Sequence, residues 1–214
     1  MTKPTGGAMH LHDNIYSAFM LDYAAGALPP AERLAADLHR TLSTHGRRNA
    51  AVLDAVGGAF LERAKGESLA KSSVNSIPER APEDRAAAPV DPRLVRFINT
   101  DLISLPWRRN LFGVMTLRTD LPLANLLRLD PGERAPQHGH GRRDVTVVLV
   151  GTFADEFGVY ERGDLAFAEP GMKHEPRAVG DKPCVCLIAA EPGRPLLGFL
   201  GMFGFGAGKM KDAA

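Results

Sequence analysis

Four residues have the types and spacing to do chemistry together: His138, His140, Asp144 and His174. His138 and His140 are separated by one glycine. In an extended chain, side chains two apart share a face, so both imidazoles can aim inward and Asp144 keeps the same parity. His174 follows the turn-forming Glu169-Pro170-Gly171 and can bring a further imidazole from another strand. Neutral imidazoles with one carboxylate suit Zn²⁺, Fe²⁺, Mn²⁺ or Ni²⁺, the choice depending on geometry and open positions more than on ligand identity. The bland reading is a histidine-bearing loop that binds nothing. The glycines that flank the pair and the distant His174 weigh against it.

Those residues need a scaffold of strands, and the second half of the chain supplies one. From Arg93 onward, short apolar runs are separated by Gly, Pro and Asp, at 113–117, 124–129, 144–150, 159–160, 165–168 and 185–189. Many short strands at this spacing predict a β-sandwich or barrel. The first half reads differently. Ile15, Tyr16, Phe19, Met20 and Tyr23 form one helical stripe, with Asp13 or Asn14 to cap it and Gly26 to end it. Pro30 opens a second helix, lined by Ala31, Leu34, Ala35, Leu38 and Leu42 and running to Gly46. Val52, Leu53, Val56, Phe60 and Ala64 mark a third, interrupted by Gly57 and Gly58. Three short helices bury little on their own, so this module is expected to dock on a second domain or a partner. Residues 66–92 shift to Ser, Ala, Pro and charge, the composition of a linker. The fold class is α+β, divided as a helical module (1–78), a Pro-rich linker (79–92) and a metal-binding barrel (93–205).

Composition removes several function classes. The 214 residues carry 26 basic and 25 acidic side chains, a formal charge of +1, so no basic excess favours nucleic acid or anionic lipid. No apolar run is long enough to span a membrane and the amino terminus lacks signal-peptide features, so a cytoplasmic protein is expected. The glycine-rich run at 196–205 is too short for a span; residues 196–200 read as a last strand, and the remainder is open between a loose tail and an exposed patch at which cupins pair or the helical module rests. Two cysteines, Cys184 and Cys186, exclude a disulfide framework. They share one face of a strand, either as ordinary buried residues or as oxidisable groups beside the metal site. Trp107 reads as cover for the barrel wall.

The histidine segment resembles the first motif of the cupins, G-x5-H-x-H-x3,4-E-x6-G, from Gly132 through His138, His140 and Asp144 to Gly151, with Asp in place of Glu. The second motif, G-x5-P-x-G-x2-H-x3-N, is met by Gly163, Gly171 and His174. Glu169 stands at its proline and Ala178 at its asparagine. The resemblance implies metal-ligand roles for His138, His140, Asp144 and His174 and one divalent ion per cupin domain, zinc first, with Fe, Mn or Ni as alternatives. The whole layout is similar to the ChrR-like anti-sigma factors, as is the local wording Tyr23-Ala24-Ala25-Gly26-Ala27-Leu28 and Leu53-Asp54-Ala55-Val56-Gly57-Gly58. That family implies a helical module, residues 14–65 here, that binds and silences an extracytoplasmic-function (group IV) sigma factor. Its cupin domain senses a stress signal, and the protein is not an enzyme. A homodimer through the cupin domain is compatible with this layout.

Zinc-binding members of that family carry H-x3-C-x2-C on the second helix. This chain keeps His39 but has Ser43 and Gly46 at the cysteine positions. His45 lies about 240° from His39 on an ideal helix, so the two share a metal only if the helix ends between them. His10 and His12 complete no tetrahedral set, and no structural zinc is expected in the helical module. A rival reading is a metal-dependent cupin dioxygenase or isomerase with the helices as a dimerisation arm, although Glu156, Glu161 and Glu169 have no special claim as its acid or base. A third is a metal-free cupin that binds a sugar or an acid.

Overall fold

The computed structural model describes residues 7–66, 92–110, 113–190 and 208–209, with side chains for residues 13–66, 92–110 and 113–190. Helix α1 (Gly7–Ala24) begins earlier than its capping residues suggest. Helix α2 (Pro30–Leu42) starts with proline at its first turn and buries Ala31, Leu34, Ala35 and Leu38, the expected stripe. It ends before Gly46, at Ser43, whose backbone turns extended. The Ser43 hydroxyl accepts a hydrogen bond from the Gly46 amide (3.3 Å), and α3 (Thr44–Arg63) begins at once rather than at Val52. Among the described residues a fourth helix, α4 (Pro92–Asn99), stands where only strands were expected. Its Leu94, Phe97 and Ile98 have helical spacing and pack into the core. The linker expected over 79–92 and the run at 196–205 lie outside the described residues, apart from Pro92. So do the side chains of His10 and His12.

Twelve short strands follow among the described residues: β1 (Arg108–Arg109), β2 (Met115–Arg118), β3 (Ala124–Leu129), β4 (His138–Gly139), β5 (Asp144–Val150), β6 (Thr152–Ala154), β7 (Val159–Glu161), β8 (Leu165–Ala168), β9 (Lys173–His174), β10 (Arg177–Ala178), β11 (Cys184–Ala190) and β12 (Gly208–Lys209). The larger sheet runs β1-β2-β3-β11-β5-β8, with β12 beside β2. Strands β10-β6-β7 and the pair β4-β9 form two smaller sheets. Pairing within the sheets is antiparallel except between β12 and β2.

Alternation along the central strands sorts their side chains onto two faces. Val145, Val147 and Leu149 of β5, with Val185, Leu187 and Ala189 of β11, join one apolar cluster with Phe19, Met20, Leu34 and Leu38 of α1 and α2. Val148, Cys184 and Cys186 join a second cluster with Leu127, Leu129 and Phe153. The helical module thus docks on its own barrel. Phe19 meets Phe167 of β8 edge-to-face, with ring centroids 5.3 Å apart. Arg143 donates to the fully buried Glu32 at 2.9 Å. Trp107 packs against the first cluster, and its indole N–H donates to the carbonyl of Leu102 (3.0 Å).

Candidate metal centre

The register of the smallest sheet builds the centre. His138 of β4 lies directly opposite His174 of β9, and opposed residues of an antiparallel pair project from the same face. Backbone bonds continue past the pair: the His140 amide donates to the Met172 carbonyl (3.3 Å), and the Gly171 amide donates back to His140 (3.0 Å). The three rings crowd together, with centroids 4.6 to 4.9 Å apart.

Each imidazole is held from behind by an acceptor. His140 Nδ1 donates to Asp144 Oδ2 (2.6 Å), His174 Nδ1 to Asp155 Oδ2 (2.9 Å), and His138 Nδ1 to the Pro136 carbonyl (2.9 Å). With the proton on Nδ1 in each ring, all three Nε2 atoms turn their lone pairs inward. The Nε2 atoms of His140 and His174 are 2.9 Å apart, and those of His174 and His138 are 3.1 Å apart. Lone pairs at such separations repel unless a cation lies among them. Two nitrogens at roughly 2.1 Å from one ion stand roughly 3.0 to 3.4 Å apart for angles between 90° and 110°, so the donor set fits a divalent metal. Burial holds His138 at a pKa of about 4, leaving it neutral and able to donate its lone pair near pH 7.

Asp144 departs from the expected ligand set. The group whose donor atoms converge is His138, His140 and His174. The Asp144 carboxylate faces Nδ1 of His140, across the ring from Nε2. Aspartate is one methylene shorter than the glutamate of the cupin motif, and in this structure it orients a histidine from behind. Burial raises its pKa, against the opposing effect of the His140 hydrogen bond.

Asp155 plays the same part for His174 and was not singled out from sequence. Its available signal is local: Asp155 is followed by Phe157 and Gly158, whose amides both donate to its Oδ1 (2.9 and 3.0 Å), an Asx turn between β6 and β7. Of the other carboxylates considered, Glu156 accepts from the Glu175 amide (3.0 Å). Glu156, Glu161 and Glu169 are not among the residues lining the cavity in front of the histidines. That cavity is mostly apolar, walled by Leu127, Leu129, Phe153, Ala166 and Ile188. Both cysteines line it as well, with their sulfurs 3.6 Å apart. The contact with Cys184, reinforced by burial, pushes the Cys186 thiol well above its usual pKa.

The family's second metal position looks different. The helix does end between His39 and His45, at Ser43, and brings their ring centroids to 6.4 Å. His39 is nonetheless engaged otherwise: Nδ1 donates to the Gly163 carbonyl (2.6 Å), and Nε2 accepts from the Tyr16 hydroxyl (3.0 Å). Burial pushes that phenol up to about 12, so it remains a donor. A Cβ on Gly46 would stand 2.6 Å from the His39 ring, so the glycine makes room for the imidazole.

A β-barrel with three converging imidazoles inside and helices laid on its outer wall defines a cupin protein with an added helical module. Residues 112–193 match the family described as the ChrR cupin-like domain. The anti-sigma-E factor ChrR of Cereibacter sphaeroides is 31% identical over 200 residues, covering 86% of this chain and 91% of that protein. The crystal structure of Rhodobacter sphaeroides SigE in complex with the anti-sigma ChrR superposes with a TM-score of 0.66 at 33% identity, covering 82% of this chain and 96% of that chain. The protein belongs to the ChrR family of anti-sigma factors. Among the described residues, no helix is long and apolar enough to cross a membrane.

Proposed function

We propose that this protein is an anti-sigma factor: its helical module binds a group IV sigma factor, and its cupin centre, loaded with one divalent metal, is the signal-sensing part. The observation that carries this reading is the end of α3. Beyond Ala50 this helix buries almost nothing, and Val52, Phe60 and Leu61 are 63, 73 and 78% exposed. Val52, Val56 and Phe60 recur every four residues and so share one face. A projecting helix with an apolar face and two internal glycines gains little stability alone, and a partner groove offers what its own barrel does not. The inner faces of α1 and α2 are covered by the barrel, so within residues 14–65 the docking surface centres on α3. The ChrR relative was crystallised in complex with SigE, which supports a sigma factor as the occupant.

His138, His140 and His174 would hold the ion, zinc first, with Asp144, Asp155 and the Pro136 carbonyl fixing their tautomers. A divalent ion there supplies a Lewis-acidic position facing the apolar cavity. Among the described residues, the two carboxylates that line the cavity, Asp144 and Asp155, are both committed to histidines, which leaves no free carboxylate there to act as a general acid or base. The division into residues 1–78, 79–92 and 93–205 is part of this reading. Run-off transcription tests the function. The purified protein, added to polymerase holoenzyme containing the group IV sigma factor encoded nearest to it, should suppress transcription at one equivalent of sigma, and Phe60→Asp should relieve the block. Full transcription at tenfold excess of the wild-type protein would overturn it.

A further inference from the structure

We propose that occupancy of the histidine centre is coupled to the docking of the helical module, through the wall formed by β5 and β8 and chiefly through the Arg143–Glu32 ion pair. This rests on the reading of His138, His140 and His174 as a metal centre. The wall is one strand thick and serves two sites. Asp144 holds His140 on the cavity side, and its chain neighbour Arg143 reaches Glu32 of α2. In the paired strand β8, Ala166 and Ala168 line the cavity, and Phe167 between them also borders it while its ring packs on Phe19 in the helix-side cluster. Asp144 pairs with Ala168 and Val145 with Phe167, so the two strands carry the same alternation in register.

Glu32 is fully buried, with no exposed surface, and Arg143 is a quarter exposed. Pulling one cation away from a carboxylate with no exposed surface is costly, because water does not replace it there. An ion that fixes His140 also fixes the carboxylate behind it, and with it the backbone from which Arg143 departs. A second tether sits at the far end of the same wall, where His39 donates to Gly163. Gly163 has φ +92°, and a Cβ there would lie 2.9 Å from the Leu42 carbonyl carbon, so this close approach of barrel to helix requires glycine. Coupling between two sites is reciprocal: an ion that favours docking is itself bound more tightly by the docked chain. Loss of the ion would loosen α2 and uncover the apolar face of Phe19, Leu34 and Leu38.

The test uses the full chain and Co²⁺, whose visible spectrum reports binding. Glu32→Gln, nearly isosteric and on the helical module, should weaken Co²⁺ binding at least about fivefold, while the surface variant Asp120→Asn stays at the wild-type value. Co²⁺ should also slow hydrogen exchange of the α2 amides in the wild type and do so less in the variant. Arg143→Lys, which keeps the charge but loses the planar fork, should show the same effect in smaller measure and serves if Glu32→Gln does not fold. Wild-type affinity in both variants, with α2 exchange indifferent to metal, would overturn the coupling. A wild-type chain that binds no Co²⁺ would overturn the metal reading and the coupling with it, a result distinct from the first.

Discussion

His39 Nδ1 donates to the carbonyl of Gly163 at 2.6 Å, joining the last turn of α2 to the loop between β7 and β8. In zinc-binding relatives the corresponding histidine is implied to ligate a structural ion. Here the imidazole instead bridges Tyr16 and the barrel, and the position stabilises the docking of one part of the chain on another.

The bridge has a pH signature. Burial lowers the His39 pKa below 6.5, against the opposing pull of the Gly163 hydrogen bond. Below pH 6.5 the unfolded chain takes up a proton that the folded chain resists, so the stability contributed by neutral His39 is complete above that pH and declines as pH falls toward the lower folded value. His39→Gln should be less stable than wild type at pH 8, and the gap between them should narrow between pH 6.5 and 5. Denaturant melts at each pH measure it, and a constant gap would contradict the assignment.

Metal stoichiometry separates ligands from the groups behind them. Elemental analysis should find one divalent ion per chain, with none retained after His140→Ala or His174→Ala. Asp144→Asn and Asp155→Asn should keep the ion while weakening it by about 10- to 100-fold, the usual cost of losing a carboxylate behind a ligating histidine. Complete loss in Asp144→Asn alone would restore that residue to the ligand set. Metal retained when all three histidines are replaced would point to the helical module.

Docking of helices on barrel makes one cooperative core. Phe19 is fully buried against Phe167, and Phe19→Ala should cost about 3 kcal/mol. Because the interface is shared, helical and near-ultraviolet signals should shift together on melting. Two separated transitions in the wild type would show that the halves fold independently.

The site was largely legible because its register is encoded in short spacings. His138-x-His140 needs only the two-residue period of a strand, and His174 is marked by the turn before it. Asp155 was hidden because its role depends on a hairpin whose tip reaches back to a residue 19 positions later. The helical stripes were legible too, but their boundaries were not: Ser43 breaks the chain by a single hydroxyl–amide contact that spacing does not reveal. The docking of α1 and α2 left a sign in β5. Asp144–Val150 is apolar at Val145, Val147, Val148 and Leu149, on both faces, which is how a strand covered on both sides reads. Helix α4 was missed because a two-turn stripe is too short to separate from a strand by period alone.

On the proposed function, α3 presents the surface by which this chain holds a sigma factor. Isothermal titration of the full-length protein with the group IV sigma factor encoded nearest to it tests that most directly, with Val56→Asp and Phe60→Asp measured in parallel. Both positions are exposed, so the variants should melt close to the wild type. One-to-one binding by the wild type, weakened at least about 100-fold in either variant, is the predicted result. Equal binding by all three proteins would move the interface off α3, and no binding by the wild type would contradict the anti-sigma function itself.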